Sequence, residues 1–312
     1  MKKKDILLAA LLVIMWGINF TVIKLGLKGV PSMLLIALRY LFTAFPAVFF
    51  VKKPKTELKY IVLFGLFVGV GQFACLFYAM EIGMPASIAS IVLQIQAFIS
   101  PVMAVFYLNE KIKTKQIIGF VIAAAGLLII GAANARDGIN AIPVLAIILN
   151  LLAPVFWSAS NIVARIASDK EEAKGEKLDM LSLVVWSSLV PVIPLTALAF
   201  VFDTPQYIFY VITNFSGISI FSVLYLAVGA TLFGYGVWGK LIGEYPMGKV
   251  APIPLLVPVI ALISARIVLD EQLSGMQWIG VVIILIGLVT SNLDFGMFKK
   301  HLGRKALENE KL

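Results

Sequence analysis

Ten apolar runs alternate with short polar segments along the chain, and each run is close to bilayer length. A crossing helix needs about 20 apolar residues to span a hydrocarbon core of about 30 Å. The pattern predicts helices over Asp5–Ile23, Ser32–Val51, Leu58–Met80, Pro85–Leu108, Gln116–Ala132, Ile142–Val163, Leu181–Phe202, Gly217–Leu241, Val250–Leu269 and Met276–Asn292. The runs are too long for barrel strands and do not alternate with period two. The first follows Met1-Lys-Lys-Lys4 in the manner of a signal peptide, yet it continues through Trp16, Gly17, Asn19 and Phe20 with no small-x-small cleavage site. It reads as a retained helix. The expected fold class is therefore all-α, a polytopic membrane protein with ten transmembrane helices.

Charge sets an orientation. Of the 26 Lys and Arg residues, only Lys24, Lys28 and Arg136 fall in outside loops when the N-terminus is placed inside. Arg39 and Arg266 fall within spans, and all the others lie in inside segments. This bias predicts that both termini are cytoplasmic. The polar tail from His301 to Leu312 is expected to be disordered.

Composition agrees: 61% of residues are hydrophobic, 14% are charged, and the mean hydropathy is +0.99. A soluble domain has roughly 45–50% apolar and about 25% charged residues, so a soluble enzyme is excluded. The net charge of +9 resides in short lysine-rich loops rather than in a basic stripe, which argues against nucleic acid as a partner. The single cysteine, Cys75, excludes an internal disulfide and cysteine metal clusters. The single histidine, His301, excludes HExxH zinc sites and histidine triads. There is no Walker loop. No cofactor, no metal and no enzymatic role are expected.

The chain also repeats itself. Residues 85–127 match residues 246–288 at 12 of 43 positions, including Glu110/Glu271, Gln116/Gln277, Gly119/Gly280 and Gly126/Gly287. Trp16 with Lys24 after it has a counterpart in Trp157 with Arg165 at the same spacing. Five spans per half is an odd number, so the second half is expected to be inverted. Inverted repeats are the architecture of many secondary transporters. The predicted organisation is 1–137 as the first repeat, 138–298 as the inverted second repeat and 299–312 as a cytoplasmic tail.

Trp16-Gly-Ile-Asn-Phe20, Arg39, Leu108-Asn-Glu110 with Gln116 and Gly119, Tyr225-Leu-Ala227 with Thr231, and Pro258 with Leu269-Asp-Glu271 carry a resemblance. The chain resembles ten-helix members of the drug/metabolite transporter superfamily with two EamA-type domains, over almost its whole length. Gly83-Met-Pro85 with Gln94 and Gln96, and Gly234-Tyr-Gly-Val-Trp-Gly239, are similar to the bacterial exporters of O-acetylserine and cysteine. The resemblance implies a multi-pass protein of the bacterial inner membrane that exports small amino-acid metabolites by alternating access. Arg266 departs from the pattern, where a small apolar residue would be ordinary.

Transport needs polar groups facing a mid-membrane cavity. Asn150, Pro154, Trp157, Ser158 and Asn161 share one helical face of the sixth span. Trp16 and Asn19 do so in the first, Ser87, Ser90, Gln94, Ala97 and Pro101 in the fourth, and Gly65, Gly69 and Gln72 in the third, where the two glycines suit close packing. Thr231, Tyr235 and Trp238 align in the eighth span near Tyr225, with Tyr235 and Trp238 read as interfacial belt residues. The candidate substrate-binding residues are Trp16, Asn19, Arg39, Gln72, Gln94, Trp157, Ser158, Asn161 and Tyr225. Pro101, Pro154 and Pro258 are candidate gating breaks. Arg39 either attracts a substrate carboxylate or is structural, by snorkelling or by tying down carbonyls at broken helices. Glu110 and Glu271 are expected to serve the turns they border.

No Asp or Glu lies in the middle of a span, so carboxylate relays have no seat. The expected partners are a small-molecule substrate, the lipid bilayer and protons as a coupling ion, in a monomer or homodimer. The leading expectation is export of cysteine- or O-acetylserine-like metabolites. Export of apolar or aromatic compounds is the alternative, and an intramembrane lipid-modifying enzyme is the remote one.

Overall fold

The computed structural model describes residues 1–108, 111–136, 142–245, 250 and 253–292. Among them there is no β-strand. Eight helices are long and apolar enough to cross a membrane: α1 (Lys3–Gly26), α2 (Ser32–Phe49), α3 (Leu58–Glu81), α4 (Ala86–Leu108), α5 (Thr114–Ala133), α6 (Val144–Glu172), α7 (Met180–Phe202) and α8 (Gly217–Ile242). Two shorter apolar helices, α9 (Ile253–Val268) and α10 (Gly275–Ser291), occupy the places of the last two predicted spans. The short helix Pro205–Thr213 joins α7 to α8. The 137/138 boundary, Glu110 and the tail with His301 lie outside the described residues.

Contacts between helix ends define two faces. On the N-terminal face, Lys240 Nζ and Tyr245 OH donate to the Asp5 carboxylate at 2.7 and 2.6 Å. Lys170 reaches Glu57 at 3.2 Å, Lys55 reaches Glu176 at 2.9 Å, and Trp186 Nε1 donates to the Val51 carbonyl at 3.0 Å. On the opposite face, Lys24 Nζ donates to the carbonyls of Met80 and Met84, and Ser32 Oγ donates to Glu81 at 2.6 Å. Pro143 sits beside Gly83 there, within 3.1 Å of where a Cβ would stand. Thus α1 runs from the N-terminal face to the opposite one, and α6 runs back. The second half is inverted relative to the first.

Helix packing follows the same exchange. α1 packs on α9 as α6 packs on α4; α1 on α8 as α6 on α3; α2 on α8 as α7 on α3. The pairs α2–α7, α4–α9 and α5–α10 lie on the pseudo-two-fold itself. Large apolar side chains such as Phe50, Ile193 and Ile267 point outward at 83%, 79% and 77% exposure, the surface a hydrocarbon solvent accepts.

The irregular segments repeat as well. Gly65–Gln72 in α3 and Tyr225–Phe233 in α8 are π-helical, and the 161-residue repeat shift places one on the other. π-segments free carbonyls and often mark functional sites. α4 breaks at Gln94–Ile95 between Ala86–Leu93 and Gln96–Leu108, and α9 opens with the 3₁₀ turn Ile253–Leu256. These breaks are also repeat-related, but the prolines are not what centres them. Pro101 and Pro154 lie inside continuous helices, and Pro258 lies in the first turn of Val257–Val268, where its missing N–H has no helical partner to lose. None of the three candidate gating prolines therefore sits at a break itself.

Candidate functional site: a central cavity

A cavity of about 220 Å³ lies between the halves. Trp16, Asn19, Arg39, Gln72, Gln94, Trp157 and Asn161 all line it. Two other candidates do not. Ser158 is fully buried behind the wall, its Oγ donating to the Gln96 carbonyl at 3.3 Å. Tyr225 donates to the Met15 carbonyl at 3.0 Å, away from the cavity. Tyr235 and Trp238, read from sequence as belt residues, instead line the cavity and pack on Trp16 with ring centroids 5.7 and 6.0 Å apart. Gln96, also in the wall, accepts from Asn161 Nδ2 at 3.2 Å and Ser100 Oγ at 3.3 Å. No Asp or Glu is among the lining residues.

Two side chains are fixed by the π-segment of α8. Trp16 Nε1 donates to the Ala230 carbonyl at 3.0 Å. Thr231 Oγ1 donates to Leu226 O at 2.8 Å, which leaves its lone pairs to accept from Arg39 Nε and Nη2 at 3.1 and 3.0 Å. Arg39 is 2% exposed, so it does not snorkel. Its guanidinium stacks 4.1 Å from the Phe73 centroid, an attractive cation–π contact. Among the described residues it has no carboxylate partner, and Nη1 has no hydrogen-bond partner. A buried cation without an anion is costly.

Two lining amides are also incomplete. The buried Asn19 Oδ1 and Gln72 Oε1 lack donors. Gln94 Nε2 donates to the Pro254 carbonyl at 3.3 Å, so it ties the break in α4 to the 3₁₀ turn of α9. The wall therefore holds one unmatched cation and two unmatched acceptors amid aromatic rings. The cavity extends toward the N-terminal face, since Met180 begins α7 there and Trp238 lies near the end of α8.

Contrary to the expectation from sequence, Glu271 does not serve its own turn. Its carboxylate accepts from Ala86 N at 2.7 Å, Ser87 N at 3.0 Å and Ser87 Oγ at 2.6 Å, capping α4 across the opposite face. The turn after it is closed by Ser274 and Gln277 in a reciprocal box at 2.8 and 3.3 Å. Arg266 lies at the outer edge, 55% exposed and 3.5 Å from Asp270.

The sequence profile of the EamA-like transporter family matches this chain twice, at residues 3–132 and 144–293. Proteins named probable amino-acid metabolite efflux pumps are 40% identical to it in Escherichia coli (strain K12), over 92% of this chain and 94% of that protein. The Salmonella typhimurium protein of the same name is 40% identical over 95% and 97%. A solved crystal structure shares the fold with a TM-score of 0.61 at 16% identity, covering 93% of this chain and 97% of that one.

Proposed function

The chain belongs to the EamA-like transporter family, and from that membership we infer that it exports small zwitterionic amino-acid metabolites, of the cysteine and O-acetylserine kind, from the cytoplasm. The observation that carries the reading is Arg39: buried in the cavity wall, with Nη1 unpaired and no carboxylate among the described lining residues. A substrate carboxylate would supply that anion. The unpaired oxygens of Asn19 and Gln72 suit its ammonium group, and the rings of Trp16 and Trp157 suit the rest. The size agrees, since about 220 Å³ lies below the roughly 300–1,000 Å³ of drug-sized sites. Names of the efflux pumps that share 40% identity support the same class.

The transporting unit is the single chain, which encloses the cavity alone. The N-terminal face is cytoplasmic in this reading, because Lys2 to Lys4, Lys52 to Lys59 and Lys170 to Lys177 cluster there. Both termini then lie on the cytoplasmic side of a bacterial inner membrane. Alternating access follows from exchange of conformations between the inverted halves, and the gradient arm of the efflux test decides whether protons drive it.

The test is efflux from proteoliposomes loaded with labelled cysteine or O-acetylserine, with and without an imposed proton gradient. Saturable efflux that unlabelled amino acids inhibit is the expected result, and stimulation by the gradient is expected from proton coupling. Absence of efflux from folded protein overturns the reading. The aromatic wall of Trp16, Tyr235 and Trp238 favours a second reading, export of apolar or aromatic compounds. Competition by neutral aromatic compounds but not by cysteine would establish it instead.

A further inference from the structure

A second cavity, of about 400 Å³, lies between α4, α5 and α6, apart from the transport cavity. Its walls include Ile88 and Val92, Leu127 and Leu128, and Ile147 and Leu151. Among the described residues one polar side chain lines it, Asn150, which is 0% exposed. Neither Nδ2 nor Oδ1 of Asn150 has a hydrogen-bond partner. An amide with both ends unpaired and buried is among the more expensive arrangements a protein can hold. Something that supplies a polar atom belongs beside it.

We propose that this cavity is a phospholipid site, in which an acyl chain fills the apolar pocket and the Asn150 amide donates to the ester carbonyl.

The mouth of the cavity faces the bilayer. Leu128 is 75% exposed and Leu151 is 39% exposed at its rim. Gly131, in the wall on α5, has open space before it, since a Cβ there would meet nothing within 4 Å. Depth fits as well. Asn150 lies six residues into α6, about 9 Å along the axis from the start of the helix on the opposite face. A bilayer about 40–45 Å thick with a core of about 30 Å has headgroup layers of about 5–8 Å on each side. Asn150 is thus just beneath that layer, where an ester joins the headgroup to the first methylenes. A buried water needs two to four polar partners, and the described walls offer a single amide, so a cavity of this kind stays dry.

Proteoliposomes of phosphatidylethanolamine and phosphatidylglycerol, doped with a phospholipid carrying a diazirine on one acyl chain, test the site. After photolysis, mass spectrometry maps the adducts. Adducts on Leu127, Leu128, Ile147 and Leu151 are expected to exceed those at the lipid-facing controls Ile193 and Ile267 at least fivefold. Gly131→Phe, which fills the open space and leaves Asn150 untouched, is expected to abolish the excess. Ester-linked probe is expected to outlabel its ether-linked analogue, and that difference is expected to vanish in Asn150→Leu. Equal labelling at cavity and control positions, as for a pocket holding only water, overturns the site. An excess that survives Gly131→Phe also overturns it. Equal labelling by ester and ether probes overturns the role given to Asn150.

Discussion

Gly119 and Gly287 face one another where α5 crosses α10, so closely that a Cβ on either would stand 2.5 or 2.6 Å from the other's carbonyl oxygen. Seven residues along, Gly126 and Gly280 repeat the contact at 2.6 and 2.7 Å. The four glycines are two repeat pairs, and each meets the repeat mate of its neighbour. Without a hydrophobic drive between helices in lipid, such close backbone approach is what holds two helices together. The same shift that aligns the halves in sequence therefore describes a contact in space.

Gly119→Ala forces the helices apart or strains them, and the expected loss is about 1–3 kcal/mol, the usual cost of overpacking. Gly131→Ala on the same helix meets open space and is expected to change stability by no more than about 0.5 kcal/mol. Thermal unfolding of both variants in one detergent checks the difference. Equal melting temperatures would show that the α5–α10 crossing is not close-packed.

Arg39→Gln removes the unmatched cation and leaves a shorter, neutral planar group that still carries N–H donors. Efflux of a zwitterionic substrate is expected to fall at least tenfold. Arg39→Lys keeps charge but not the planar fork that meets Thr231 at two nitrogens, so partial activity is expected. Transport by the two variants, normalised to folded protein, provides the measurement. Full activity of Arg39→Gln would assign the residue to structure alone.

Asn161→Ala removes the donor to Gln96 Oε1 and opens the wall beside Trp157. Gln94→Ala frees the Pro254 carbonyl at the meeting of the two helix breaks. The half-saturation concentration is expected to rise about ten- to a hundredfold for each, as losing one hydrogen bond to a charged substrate group costs about 1.5–3 kcal/mol. Should both variants export with unchanged constants, the cavity is not the substrate site.

Much of this was legible in the one-letter string. Span lengths follow from hydropathy, and the repeat from Glu110/Glu271, Gln116/Gln277 and the paired glycines. From the polar stripe of the regular helix α6, Trp157 and Asn161 reach the cavity while Ser158 lies behind its wall. The other misplacements lie where regularity fails. In α8 the π-segment Tyr225–Phe233 turns the helix off the 3.6-residue period, so Tyr225 leaves the face that carries Ala230 and Tyr235. In α3, Gly65 and Gly69 pack on Ser187, Val190 and Pro191 of α7 while Gln72 reaches the cavity, although a simple helix would align all three. The break at Gln94–Ile95 bears no proline, and no local signal announces it. Glu271 was seen as a turn residue because its partners, Ala86 and Ser87, are far off in sequence.

Asp5 and Glu271 tie helices together on opposite faces, and the alternating access proposed above requires each face to open in turn. Asp5 binds α1 to Lys240 and Tyr245 on the N-terminal face. Glu271 binds the loop after α9 to the first turn of α4 on the other. Each tie uses a carboxylate that accepts charged or multiple donors, so an amide in its place weakens it without changing its shape. In a Cys75→Ser background, Ala230→Cys places one thiol in the cavity wall. A membrane-impermeant maleimide applied to one side at a time then reports which face is open. Asp5→Asn is expected to raise labelling from the N-terminal face several-fold, and Glu271→Gln from the opposite face. Labelling that rises from the same side in both variants would mean that the ties are not paired gates.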